Sequence, residues 1–156
     1  EPVPTDGDYS IFIDYAVTPD AIENVLTTLR GIAPKRLVML FGAGGDRDRK
    51  KRPIMGKLSA DIADFVIVTS DNPRTEDPMS IIEEILPGVR AGKAPYKVIC
   101  DRPEAIRWAI DHHEPGDVIL LCGKGHEDYQ IIGHEKIHMD EREIVADYLA
   151  ERAKRT

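Results

Sequence analysis

The sequence predicts an α/β domain, a Rossmann-like open and mostly parallel sheet of about six strands with helices on both faces. Two observations lead there. Short apolar, β-branched runs alternate with stretches whose apolar residues recur at helical spacing, from Ser10 to the carboxyl end. Strands joined through helices imply right-handed crossovers and parallel pairing. In addition, Arg36 to Phe41 is nearly continuously apolar, as expected of a strand covered on both faces.

The elements follow in order. Ser10 to Ala16 reads as the first strand, with Ile11 and Ile13 on one face. Thr18 then caps a helix that has Pro19 at its first position. Ile22, Val25, Leu26, Leu29 and Ile32 form the buried stripe of that helix. After the Arg36 to Phe41 strand comes a Gly-rich, charged loop from Gly42 to Arg52. Pro53 opens a helix reaching about Asp64, and Phe65 to Thr69 is the third strand. Asp77 caps the next helix, with Pro78 first and Ile81, Ile82, Ile85 and Leu86 inward; Gly88 to Ala94 reads as a basic loop. Lys97 to Cys100 is a short fourth strand, and Asp101-Arg102-Pro103 starts a helix with Ile106, Ala109 and Ile110 inward. Asp117 to Cys122 is the fifth strand. Tyr129 to Ile132 and Glu135 to His138 form a hairpin turning at Gly133-His134. Asp140 caps a last helix with the stripe Ile144, Val145, Tyr148 and Leu149.

Composition narrows the class. At 156 residues the chain reads as one domain, large enough for its own core. No apolar run approaches the about 20 residues that span a bilayer, so the expectation is a cytoplasmic protein with no membrane partner. The amino end lacks the features of a signal peptide and an initiator Met, and the chain reads as excised from something longer. A net charge of −7 argues against a general nucleic-acid binder. Cys100 and Cys122 each end an apolar run and read as reduced, buried thiols. No Cys/His spacing suggests a metal site.

The unusual polar sequences each follow the carboxyl end of a predicted strand: Asp14-Tyr15-Ala16, Gly42 to Arg52, Asp71-Asn72-Pro73-Arg74, and Gly123-Lys124-Gly125-His126-Glu127. Open α/β sheets bind ligands beyond those ends, so residues scattered along the chain converge on one edge. Arg74 is a planar, permanently charged fork suited to carboxylate or phosphate, and Asp71 can accept from an ammonium. Such a turn could grip a zwitterion; the bland alternative is a polar turn that only reverses the chain. Gly42-Ala43-Gly44-Gly45-Asp46-Arg47 is a poor dinucleotide fingerprint, because Arg47 stands where the third glycine belongs. Its glycines read as permitting a sharp turn and leaving space for a ligand, with Arg47 a second anion fork. Arg47 to Arg52 holds five basic residues in six positions and reads as a solvated loop partly used for anions. Gly123-Lys124-Gly125 fails as a P-loop, since neither Ser nor Thr follows the lysine. Asp14 to Asp20 places a carboxylate at a strand end beside a helix start, where phosphate is favoured; simple capping by Thr18 is the plainer account.

Taken together and in this order, these motifs resemble the C-terminal domain of the Mur ligases, of the type that adds the third residue of the peptidoglycan stem peptide. The resemblance covers about Glu1 to Leu149 and includes Gly44-Gly45-Asp46-Arg47-Asp48, Lys51-Arg52-Pro53 and Met55-Gly56. In that family Asp-Asn-Pro-Arg marks enzymes that add meso-diaminopimelate rather than L-lysine. The resemblance implies a diaminopimelate pocket in which Arg47 and Arg74 bind carboxylate, Asp71, Asn72 and Pro73 shape the wall, and Gly123 and Glu127 complete it, Glu127 on an ammonium. It implies a reaction in which ATP phosphorylates the D-glutamate carboxylate of UDP-MurNAc-L-Ala-D-Glu and the incoming amine attacks the acyl phosphate. It also implies that ATP and Mg²⁺ are bound mainly by a central domain and the UDP group by an N-terminal domain, neither of them in this chain. Asp14 and Thr18 match the segment that faces ATP, and no residue here is expected to be catalytic by itself. One departure stands out: most relatives have His where this chain has Val17. Remaining alternatives are the same ligase class adding L-lysine, a stand-alone nucleotide-binding module, and a nucleic-acid binder using Arg47 to Arg52.

Overall fold

The computed structural model describes residues 1–32 and 34–155. Its strands are β1 (Pro2–Val3), β2 (Tyr9–Asp14), β3 (Arg36–Phe41), β4 (Phe65–Val68), β5 (Tyr96–Val98), β6 (Asp117–Cys122), β7 (Tyr129–Ile132) and β8 (Glu135–His138). Its helices are α1 (Pro19–Arg30), α2 (Lys51–Ile62), α3 (Pro78–Ala91), α4 (Arg102–Asp111) and α5 (Glu141–Lys154). The main sheet has six strands in the order β1-β2-β6-β3-β4-β5, and β7-β8 form a separate hairpin. β2, β6, β3, β4 and β5 pair in parallel; β1 pairs antiparallel with β2.

The alternation of side chains along β3 shows why the sheet is covered twice. Leu37, Met39 and Phe41 pack on one face with Ile22, Leu26 and Leu29 of α1, Met55 and Ala60 of α2, and the α3 isoleucines. Val38 and Leu40 point the other way, to Ala105, Ile106 and Ile110 of α4 and Val145 and Tyr148 of α5. The parallel pairing puts the carboxyl ends of β2, β6, β3 and β4 on one edge.

Several boundaries differ from expectation. The first strand ends at Asp14, so Tyr15 and Ala16 belong to the loop. α1 ends at Arg30, which leaves Ile32 outside the stripe and 55 % exposed. The α2 helix begins at Lys51, not at Pro53, which sits in the first turn where its missing N–H is not needed. The stretch from Gly88 was expected to be loop, yet α3 continues to Ala91 with Pro87 inside it. Packing overrides the proline: Leu86 and Val89 are buried, and Gly88 lies so near the Pro53 carbonyl that a Cβ would meet it at 1.8 Å. The fourth expected strand is shifted one residue back and shortened, to Tyr96–Val98. The short β1 was not foreseen. Asp77 does precede α3, but its carboxylate accepts from the Ser80 hydroxyl at 3.2 Å, not from a backbone N–H. Thr18 and Asp140 cap as expected and Asp101 caps α4, each side chain accepting a backbone N–H. Both cysteines are free thiols.

Candidate functional site

A cleft of about 310 Å³ opens at the carboxyl edge, lined by residues from all four strand-end loops. Tyr15 and Val17 come from the loop after β2, Gly42, Gly44 and Arg47 from that after β3, Asp71, Asn72 and Arg74 from that after β4, and Gly123 and Glu127 from that after β6. Pro73, Asp14 and Thr18 are not among the lining residues. The Asp14 carbonyl instead accepts from the Gly123 N–H at 2.9 Å, joining two loops, and the Thr18 hydroxyl is engaged as the α1 cap.

The Asp71-to-Arg74 turn is fixed by its neighbours. The Gly45 N–H donates to the Asn72 carbonyl at 2.7 Å, and a Cβ on Gly45 would sit 1.8 Å from the Pro73 oxygen. Only glycine lets these two backbones touch. Gly42, Gly44 and Gly45 are not at positive φ, so they serve close approach of the next loop where a sharp turn was expected. Arg74 itself adopts φ 53°, the left-handed region, at a cost of about 1–2 kcal/mol. Its N–H donates to the Ile131 carbonyl at 3.0 Å and its carbonyl accepts from Gly133 at 2.6 Å, so the β7-β8 hairpin locks that conformation. The guanidinium donates to the Gly45 carbonyl at 3.0 Å and borders the cleft. Arg47 is exposed on the cleft rim, its Nη1 on the Asp46 carbonyl at 3.0 Å.

The same cleft is lined by two acids organised by a buried lysine. Lys124 is 0 % exposed and donates to Asn72 Oδ1 at 2.7 Å, with Glu127 Oε1 at 2.8 Å and Asp71 Oδ1 at 3.5 Å. Gly123, at φ 112°, brings its backbone against Asp71, where a Cβ would meet Oδ2 at 2.8 Å. Burial pushes the Asp71 carboxyl up, partly opposed by the charges of Arg102 and Lys124. Burial also pushes Glu127 up, but Lys124 and the hydrogen bonds from Tyr129 and Asn72 more than reverse this and hold it below the usual carboxylate range.

Three buried cations escaped the sequence reading. Arg52 belongs to the run expected to be a solvated loop, yet it is 1 % exposed, donating to Glu76 at 2.7 Å and the Gly44 carbonyl at 3.0 Å. Arg102 looked like an ordinary helix start, yet it is wholly buried, pairing Glu141 at 2.9 Å and donating to the Ser70 and Cys122 carbonyls. Lys124 was weighed only as a failed P-loop lysine. A lysine directly after a fully buried strand and between glycines is the one available signal. His126 is exposed, its ring 5.6 Å from Tyr15.

Comparisons with known proteins agree with this architecture. The family model described as Mur ligase, glutamate ligase domain, matches residues 1–125. A relative from Caldanaerobacter subterraneus subsp. tengcongensis, named UDP-N-acetylmuramoyl-L-alanyl-D-glutamate–2,6-diaminopimelate ligase, is 53 % identical over 99 % of this chain and 32 % of its own length. One of the same name from Trichormus variabilis is 56 % identical over 96 % of this chain and 30 % of its own. This chain therefore spans about a third of the length of these relatives. A solved structure of a ligase of that name superposes with a TM-score of 0.90 at 39 % identity, covering 98 % of this chain and 31 % of that one. The UDP-N-acetylmuramate-alanine ligase of Thermotoga maritima shares the fold, with a TM-score of 0.61 at 20 % identity over 99 % of this chain and 29 % of its own. Sequence and fold agree that this chain belongs to the Mur ligase family, within its glutamate ligase domain.

Proposed function

We propose that this chain is the amino-acid-presenting domain of a cytoplasmic, ATP-dependent ligase that joins meso-diaminopimelate to UDP-MurNAc-L-Ala-D-Glu in peptidoglycan synthesis. One observation carries the reading: a single cleft is lined both by the arginines Arg74 and Arg47 and by the acids Asp71 and Glu127. That charge pattern complements an amino-acid zwitterion. Relatives at about half identity, named for diaminopimelate, support the choice of ligand.

Diaminopimelate has two amino-acid ends. In this reading the distal carboxylate docks on Arg74 and Arg47 and the distal ammonium on Glu127. Asp71, Asn72, Pro73 and Gly123 shape the wall. The other amine stays free as the nucleophile and is aimed out of the cleft. Its lone pair attacks the acyl carbon of the activated D-glutamate, the C–O bond to phosphate breaks, and the nitrogen releases one proton to solvent as the amide forms. This domain contributes orientation, which converts an encounter of two solutes into a near-intramolecular step. Lysine lacks the distal carboxylate and would leave the arginine forks unpaired, a loss of several kcal/mol on general grounds.

Bound ATP supplies the phosphoryl group that activates the glutamate carboxylate. The α1 start fits a phosphate poorly: Pro19 has no N–H, and Thr18 already engages the N–H groups of Ala21 and Ile22. Among the described residues no group of three or more His, Cys, Asp or Glu is placed to hold a metal ion. In line with the family resemblance, we assign ATP and Mg²⁺ mainly to the rest of the ligase, with Asp14 and Thr18 acting on that side only as supports. The UDP grip is assigned to a further domain.

The test is ligation by the full-length enzyme with a panel of amino acids. Meso-diaminopimelate should be strongly preferred over L-lysine, and Arg74→Ala should erase the preference. Equal use of lysine by the unaltered enzyme would refute the assignment.

A further inference from the structure

Glu127 is the group on which the proposed ammonium docks, and its two oxygens have different surroundings. Oε1 lies 2.8 Å from Lys124 Nζ and 3.5 Å from the Asn72 amide nitrogen. Oε2 is reached by the hydroxyls of Tyr129 at 3.2 Å and of Tyr15 at 3.4 Å, and Tyr15 lines the cleft. The lysine that holds Oε1 is wholly buried and lines no part of the cleft. It also donates to Asn72 Oδ1 at 2.7 Å, an oxygen that further accepts from the Ile131 N–H at 3.0 Å. With Oδ1 taken by two donors, the Asn72 amide has one orientation, its nitrogen toward Glu127. Lys124 is thus bonded to two residues of the cleft wall without being part of its surface.

We propose that Lys124 is a positioning residue for the acceptor amino acid: anchored on Asn72 Oδ1, it grips Glu127 by Oε1 and so fixes the carboxylate on which the incoming ammonium docks. The proposal rests on the functional reading above. It gives the buried lysine a job that its burial alone does not explain, because a buried ion pair is seldom better for stability than an apolar residue of the same volume. Glu127 stands on the loop between β6 and β7, outside any helix or strand. Without the lysine its carboxylate would keep only the longer hydrogen bonds from Asn72, Tyr129 and Tyr15, and Asp71 and Glu127 would lose the cation they share.

The test is a double-mutant cycle in the full-length ligase, with KM measured separately for the acceptor amino acid, ATP and the UDP substrate. Lys124→Met should raise the acceptor KM by about tenfold or more while the other two KM values stay within roughly twofold. Glu127→Gln should do the same. Since Lys124 acts through Glu127, the double variant should be no worse than the poorer single variant. Multiplying effects, or a rise in all three KM values together, would overturn the proposal. Lys124→Met takes from Asp71 and Glu127 the cation they share and could fail to fold; the double variant against Glu127→Gln then decides. Equal acceptor KM in that pair supports positioning, whereas a further tenfold rise on removing Lys124, or failure of the double variant to fold, contradicts it. A wild-type ligase that ignores diaminopimelate would refute the functional reading separately, and the cycle would then be run on the amino acid it accepts.

Discussion

The two ends of the main sheet each bury an aspartate, and they treat it differently. At the amino edge Asp117 is 1 % exposed and accepts from Arg36 Nε at 3.1 Å, Arg36 Nη2 at 2.7 Å and the Glu114 N–H at 2.9 Å. Its partners saturate it. At the carboxyl edge Asp71 is 6 % exposed, and its nearest cation, Lys124, stands 3.5 Å away, shared with Glu127 and Asn72. One aspartate closes the bottom of the sheet; the other borders a cleft. Burial of a charged group therefore does not distinguish a strut from a site, but the completeness of its partnership does. Arg102 and Glu141 belong with the struts: both are 0 % exposed, and Arg102 ties the loop after β4 to the end of β6.

Substitutions at the struts and the site should separate these classes. The largest loss of stability is expected from Arg102→Met, which strands Glu141 in the interior; urea denaturation should show about 3–5 kcal/mol lost, or no folding. Asp117→Ala should cost about 3 kcal/mol, because three donors lose their acceptor at once. A loss under about 1 kcal/mol there would break the distinction drawn between the two edges. Glu76 provides a pH test. The hydrogen bond from Arg52, helped by the Asp46 N–H, lowers its carboxyl from 4.5 to about 2. The folded pKa is below the unfolded one, so its contribution is complete above pH 4.5 and is lost as pH falls toward about 2. The urea midpoint of Glu76→Gln should accordingly depend less on pH across that window than the midpoint of the unaltered chain. Thr18→Ala removes a cap and should cost about 1 kcal/mol. Arg74→Ala should be the mildest for stability, within about 1 kcal/mol, while abolishing amino-acid binding.

The sequence made the scaffold readable for physical reasons. Asp117 to Cys122 and the β7-β8 hairpin were bounded correctly because continuous apolar runs and a Gly turn mark strand ends. Four polar motifs at strand ends were enough to place the cleft, since parallel pairing gathers those ends. What the sequence hid was the fate of individual charges. Arg52 lies in a run of exposed basic residues, and nothing local reveals that Glu76 and Glu84, from beyond the next strand, will enclose it. Likewise Arg102 and Glu141 meet across 39 residues, a pairing that only the finished fold creates. The stretch from Gly88 misled because glycine and charge signal a loop only locally, and the packing of α3 on α2 is not local.

The most direct test of the central claim, that the carboxyl edge is an amino-acid site, is an NMR amide titration of this chain with meso-diaminopimelate and, separately, L-lysine. Shifts confined to the loops after β2, β3, β4 and β6 should appear with diaminopimelate and vanish in Arg74→Ala. Shifts of equal size with lysine, or shifts centred on Asp117 and the amino edge, would contradict it.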